Sequence, residues 1–177
     1  MEFEELIKHR YSVRAYQDRP VEKELLERVL EAARLAPTAA NRQPFQLVVV
    51  HTRGREQELK PIHHRQWFLQ APLLIFACGI PAQAWQHNNG KSYLDVDIAI
   101  VMDHLTLAAA NLGLGTCWMA SFDFQEVRRI LEVPDEVEPL VMTPLGYPAD
   151  QPQIKERKPL SELVRYERWV QAGENSI

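Results

Sequence analysis

Three polar side chains alternate in the stretch "HRYSVRAY": Arg10, Ser12 and Arg14. In an extended backbone, side chains two apart share a face. Two guanidinium groups and a hydroxyl on one face make a receptor for a phosphate, because arginine offers paired donors to two oxygens. A second cationic set, Lys155, Arg157 and Lys158, sits in "QIKERKPL" near the other end of the chain. Pro152 and Pro159 keep that segment out of helix, and Lys155 and Arg157 alternate as well. Taken singly, each set reads as a solvated charged surface. Brought together, they would close one anion site from opposite ends of the chain.

A third group has different chemistry. "APTAANRQPF", residues 36–45, places Asn41 and Gln43 two apart, after the small residues Thr38, Ala39 and Ala40. Carboxamides both donate and accept hydrogen bonds. Two readings follow: the amides serve a flat polar ligand that the small residues let come close, or they cap the preceding helix and satisfy the turn.

Other chemistries find little support. The glycines of "NLGLGTCW" follow a helix and precede a strand, the reverse of a dinucleotide loop. Gly113 reads as a helix C-cap and Gly115 as a turn residue. His63 and His64 are adjacent and point apart in any regular structure, and Asp95, Asp97, Asp103 and His104 lack a ligand spacing, so no metal is expected. Ser12, Ser92, Ser121, Ser161 and Cys117 sit in no nucleophile elbow.

The elements that must position these groups follow from periodicity. Phe3, Leu6 and Ile7 make a short amphipathic helix. Leu25, Leu26, Val29, Leu30, Ala33 and Ala36 stripe a longer one, which Pro37 ends. "FQLVVVHT" and "PLLIFACGI" read as strands buried on both faces. Residues 54–70 look helical with a break at Pro61. Residues 94–112 form a helix that is apolar nearly all round, so it lies central or against a second chain. "GTCWMAS" is a short strand, "DFQEVRRILEV" a helix with Asp123 as its N-cap, and "EPLVMTPLGYP" a long strand. The order is α+β, with a small mixed sheet flanked by helices and one domain spanning 1–177.

The chain has 177 residues, 46% hydrophobic and 25% charged, with a net charge of −4. No basic patch suits nucleic acid or an anionic membrane. "MEFEELIKHR" is too polar for a signal peptide, and no apolar run reaches a membrane span. Cys78 and Cys117 each lie in an apolar run, as buried free thiols of a reducing compartment do. These features point to the cytoplasm.

"HRYSVRAY", "APTAANRQPF", "NLGLGTCW", "PLGYP" and "KERKPL", in this order and over nearly the whole chain, resemble the flavin-dependent nitroreductase family. The resemblance implies an intertwined homodimer with two non-covalent FMN molecules, each held by both chains. Arg10, Tyr11, Ser12 and Arg14 would hold the FMN phosphate and ribityl chain, with Arg14 reaching the pyrimidine edge and tuning the ring. Lys155 and Arg157 would complete the phosphate site. The backbone around Ala120 and Ser121 would approach flavin N5. Pro37, Thr38, Ala39, Asn41 and Gln43 would come from the partner chain. The loop "AWQHNNGKSY" stands where family members build the substrate pocket, with Trp85, His87 and Tyr93 as candidate walls. Larger members carry an acidic residue near N5 where this chain has Ala120. The implied activity is ping-pong transfer of hydride from NAD(P)H, through N5, to an electron-poor small molecule such as a nitroaromatic or quinone. Storage or sensing of FMN without turnover, and divergent flavin chemistry, are the alternatives.

Overall fold

The run "LLIFACG" contains no charged or amide side chain, and a strand of that kind must be covered on both faces. The computed structural model, which describes residues 1–152 and 155–169, shows it so. Its helices are α1 Phe3–His9, α2 Lys23–Arg34, α3 Glu56–Leu59, α4 Leu94–Asn111, α5 Phe124–Leu131 and α6 Leu160–Leu163. Its strands are β1 Phe45–His51, β2 Leu73–Gly79, β3 Gly115–Thr116 and β4 Glu138–Gly146. They form one sheet in the order β1-β2-β4-β3. All three ladders are antiparallel; the mixed character is confined to an isolated parallel bridge between Ser12 and Thr116.

The two-residue period of β2 sorts the core into two halves. Leu73, Ile75 and Ala77, with Val141 and Leu145 of β4, pack with Val29 and Ala33 of α2 and Ile98, Met102 and Leu105 of α4. Leu74, Phe76 and Cys78, with Met142, pack with Leu59, Ile62, Phe68 and, on α5, Val127 and Ile130. The result is three layers, helix–sheet–helix. Both cysteines are free and buried. Among the described residues no helix is long and apolar enough to cross a membrane.

Three expectations need correction. β1 is not buried on both faces: it is an edge strand, so only Val50 is fully buried while Leu47, Val48 and Val49 are half-buried. Residues 54–70 are not a broken long helix. They form the single turn of α3 and two 3-10 turns, Lys60–Ile62 and Gln66–Gln70, with Pro61 opening the first. Gly115 is not a turn residue but the first residue of β3. The expectation that "RYERWVQAG" wraps a partner chain falls in part on Val170–Gly173, outside the described residues.

The broad apolar surface of α4 divides in two. Leu94, Ile98, Val101, Met102, Leu105 and Ala109 are buried in the chain's own core. Val96 is 42% exposed, and Ile100 and Leu107, four and eleven residues on, are half-buried. These three share the outer face. Beside them α1 leaves Phe3 and Ile7 open and buries only Leu6.

Two local devices set the position of β3. Gly113 takes φ +76° just past α4. Leu114 N–H then donates to Ala109 O at 2.9 Å and Gly113 N–H to Ala110 O at 3.1 Å, the paired closure of a Schellman C-cap. At Gly115 the reason is space: a Cβ there would meet Val13 Cγ2 at 2.6 Å. At the next helix Asp123 caps α5 as its sequence implies, accepting from Gln125 N–H at 2.9 Å and Glu126 N–H at 3.1 Å.

Gly115→Ala is therefore expected to lower stability by about 1–3 kcal/mol through overpacking. Gly113→Ala, which meets no atom but must hold a left-handed backbone, should cost about 1 kcal/mol. Urea denaturation of both variants checks this; equal, negligible losses would mean that Val13 does not press on β3.

Candidate functional site

The chain leaves α1 at Arg10 in extended conformation and runs along β3. Val13 N–H donates to Thr116 O at 2.9 Å, and the Val13 side chain is buried, 1% exposed. Alternation then turns Ser12 and Arg14 outward. The Pro148–Asp150 segment is stitched to the same stretch. Ala149 N–H donates to Ala15 O at 2.8 Å, Arg14 N–H to Asp150 Oδ2 at 2.8 Å, and the Tyr11 hydroxyl to Asp150 O and Oδ1 at 3.0 and 3.1 Å. Burial, then the hydrogen bond and charge of Asp150, push the Tyr11 phenol up to about 12, so it remains a neutral donor.

This stitching brings the two cationic sets together. A cleft of about 490 Å³ is lined by Ile7, Lys8, His9, Arg10, Tyr11, Pro152, Lys155 and Arg157. None of these is acidic. A smaller cleft of about 130 Å³ continues along Tyr11, Ser12, Arg14, Asp150, Gln151 and Lys155. Among the described residues Arg10, Arg14, Lys155 and Arg157 form no ion pair; the ion pairs lie elsewhere, mostly within helical turns. Unpaired cations around an acid-free cleft are the electrostatic signature of an anion receptor.

Ala120 and Ser121 lie at the other end of the same furrow. Met119 and Met142 exchange backbone hydrogen bonds of 2.9 Å, and beyond that bridge the chain turns outward. Ala120 and Ser121 line a recess of about 310 Å³ with Arg14, Cys117, Trp118, Trp67 and the turn His63–Arg65. Arg14 thus lines both this recess and the 130 Å³ cleft, so the two adjoin. A further recess of about 460 Å³ shares His63, His64, Ala120 and Ser121 and adds Phe122, Asp123 and Phe124. Trp67 Nε1 is buried without a hydrogen-bond partner. Burial pushes the Cys117 thiol up, against the opposing pull of Arg14, and pushes Cys78 up to about 11.

Asp150, Trp67 and the His63–His64–Arg65 turn were not among the expected site residues. Adjacent histidines carry no metal spacing, and a lone Trp or Asp has no motif, so only tertiary placement finds them. Among the described residues no group of three or more His, Cys, Asp and Glu side chains could hold a metal ion.

Within one chain the 37–43 loop is not part of this furrow: Pro37, Thr38, Ala39, Asn41 and Gln43 line none of these clefts. The loop is nonetheless tightly specified. Ala40, Asn41 and Gln43 have φ of 52°, 53° and 50°, a left-handed conformation that costs each about 1 kcal/mol or more. Ala39 N–H donates to Asp97 Oδ1 at 2.8 Å and Gln43 N–H to Thr38 Oγ1 at 3.0 Å. Gln43 Nε2 donates to Asn41 O at 3.1 Å and Oδ1 at 3.3 Å. The amides therefore satisfy the turn, and neither reaches α2, whose C-cap is Leu35. Arg42 Nη1 donates to Ala84 O at 3.1 Å, tying this loop to the next one. There Trp85 packs edge-on against Tyr93 at 5.0 Å and against His87 at 6.0 Å. Trp85, His87 and Tyr93 line none of the clefts above.

The geometry can be set beside known proteins. The family model described as "Nitroreductase family" matches residues 7–67 and 55–147. A Bacillus subtilis protein named FMN reductase [NAD(P)H] is 31% identical over 96% of this chain and 74% of its own length. The crystal structure of a nitroreductase family protein from Clostridium difficile is 41% identical, covers 95% of this chain and 99% of that one, and superposes with a TM-score of 0.87. Another from Clostridium novyi is 29% identical, covering 85% and 87%, with a TM-score of 0.78. The matched region carries the extended Arg10–Arg14 segment, the 37–43 loop and the Ala120–Ser121 turn, and on these grounds the chain belongs to the nitroreductase family.

Proposed function

We propose that the protein is an FMN-dependent oxidoreductase that uses NAD(P)H to reduce an electron-poor small molecule, a nitroaromatic or a quinone. The observation that carries this is the acid-free cleft where Arg10, Lys155 and Arg157 meet without counter-ions. It fits the phosphate of FMN by the chemistry of its donors. Arg10, Lys155 and Arg157 hold the phosphate, Tyr11 and Ser12 border the ribityl chain, and Arg14 stands at the junction with the ring recess. The Ala120–Ser121 backbone borders the ring near N5. The B. subtilis relative, named for FMN and NAD(P)H, supports the same donor and flavin.

When bound, FMN supplies the redox chemistry, accepting hydride from NAD(P)H and passing it to the acceptor in a ping-pong cycle. The protein's part is placement and charge. Arg14 is a cation beside the ring recess, and a cation there favours the form of a ligand that carries more negative charge. Trp67, Trp118 and Cys117 give that recess apolar walls, which strengthens the effect.

We also propose that the working unit is a homodimer in which the 37–43 loop serves the partner's flavin. The outer stripe Val96, Ile100 and Leu107, with Phe3 and Ile7, is an apolar surface that one chain leaves to cover. Arg42 ties the loop to Ala84, so Trp85 and Tyr93 would travel with it toward the same flavin.

Removing two phosphate contacts should weaken FMN far more than riboflavin, which lacks the phosphate. Arg10→Ala with Arg157→Ala is expected to cost FMN at least about a hundredfold in affinity, from roughly 1.5 kcal/mol per charged contact. Equal losses for both flavins in fluorescence titration would show that these residues do not bind phosphate. Steady oxidation of NAD(P)H with a quinone by the purified protein separates turnover from storage.

A charge on the outer stripe should dissociate the dimer and leave the protomer folded. Leu107→Glu serves; Leu105 is wholly buried in the protomer, and Leu105→Glu should unfold it. Sedimentation and circular dichroism tell the two apart. A mixed dimer of one Asn41→Ala chain and one Arg10→Ala chain should keep about half the wild-type activity, since one shared site carries both defects and the other neither. Two equally impaired sites would mean that the loop serves its own chain.

A further inference from the structure

We propose that the turn His63–His64–Arg65 is the acceptor-recognition wall of the site. The wall suits a flat acceptor that bears an anionic oxygen group, a carboxylate or sulfonate, beside its reducible carbonyl or nitro group. This rests on the reading that Ala120 and Ser121 border the redox end of the flavin.

Placement comes first. The two recesses that contain Ala120 and Ser121 also share His63 and His64. The turn therefore opens on the same space. Pro61 and the 3-10 turns on either side fix its course, and α5 leans on it through Asp123 N–H, which donates to Ile62 O at 2.8 Å.

Its chemistry is that of a donor wall. His63 is 9% exposed, and its Nδ1 accepts from Arg65 N–H at 2.9 Å. The ring proton is then on Nε2, which has no partner among the described residues. Burial, then the charges of His64 and Arg65, hold the His63 pKa below its ordinary value, so the ring stays a neutral donor. His64 stacks on it at 4.4 Å between centroids. Arg65 forms no ion pair among the described residues.

Among the described residues the one carboxylate lining either recess is Asp123, and its Oδ1 is engaged by two backbone N–H groups at the start of α5. Trp118 and Phe124, 41% and 44% exposed, offer flat apolar surface for a ring. Aromatic walls with one cationic side favour an aromatic anion over its neutral analogue.

An anion could reach this wall from two sources, the acceptor's own substituent or the 2′-phosphate of NADPH, and one experiment separates them. The FMN-loaded enzyme is assayed with 1,4-naphthoquinone-2-sulfonate and with unsubstituted 1,4-naphthoquinone, each with NADH and with NADPH. Arg65→Ala is exposed and removes only the guanidinium. The sulfonate-to-neutral ratio of kcat/KM is expected to fall about tenfold in that variant, the loss of one charge-assisted contact, and Arg65→Lys should restore most of it. A ratio unchanged by Arg65→Ala overturns the assignment. A fall in the NADPH-to-NADH ratio with the quinone ratio intact also overturns it, by giving the wall to the nucleotide. If wild-type enzyme reduces neither quinone, the assignment fails together with the oxidoreductase reading beneath it.

Discussion

The hydrogen bond from Val13 N–H to Thr116 O is the joint on which the rest of the site depends. β3 has only two residues and leaves the sheet with an edge. The stretch after α1 lies along that edge, and it can do so because Gly115 has no side chain where Val13 sits. Once Val13 is buried, Ser12 and Arg14 face outward beside Cys117–Ser121. The Pro148–Asp150 segment then bonds to the far side of the same stretch and delivers Lys155 and Arg157. A cationic cleft assembled from both ends of the chain thus follows from one close approach of backbone to backbone.

Much of this was legible in the sequence, and the reasons differ by element. β2 is apolar throughout because it is central, and its length and flanking prolines mark it. The Arg10–Ser12–Arg14 alternation was legible because an extended backbone has only two faces, and the buried Val13 between them fixes which is which. α5 announced its start through a cap whose geometry is local. The stretch 54–70 hid its short turns because periodicity over so few residues does not separate α from 3-10. β1 looked like β2, since an apolar run does not say whether a strand is central or at an edge. α4 is apolar on both sides, so the sequence could not assign Leu105 to the core and Leu107 to the outer face. The donor wall at His63 was invisible, because its tautomer and its neighbours are set by tertiary packing.

The 37–43 loop shows how a strained backbone persists. Three non-glycine residues out of four hold left-handed φ values, and the surrounding contacts over-determine them. The firmest anchor is Asp97, 1% exposed, whose Oδ1 accepts from Ala39 N–H while Oδ2 has no partner among the described residues. A carboxylate in that position is eased by its place in the first turn of α4, where the helix dipole favours negative charge. Asp97 thus joins the longest helix to a loop that has no regular structure to hold it.

The two thiols carry a practical consequence. Cys78 lies inside the sheet and Cys117 just after β3, both buried, and burial holds both in the protonated form. At pH 8 a thiol with a pKa near 11 is ionised in only about one molecule in a thousand, and the thiolate is the reactive species. To an alkylating reagent Cys78 is therefore nearly silent. A cysteine placed at an exposed position such as Gln46 would react far faster than Cys78, giving a spin or fluorescent probe beside the 37–43 loop with that core thiol left in place.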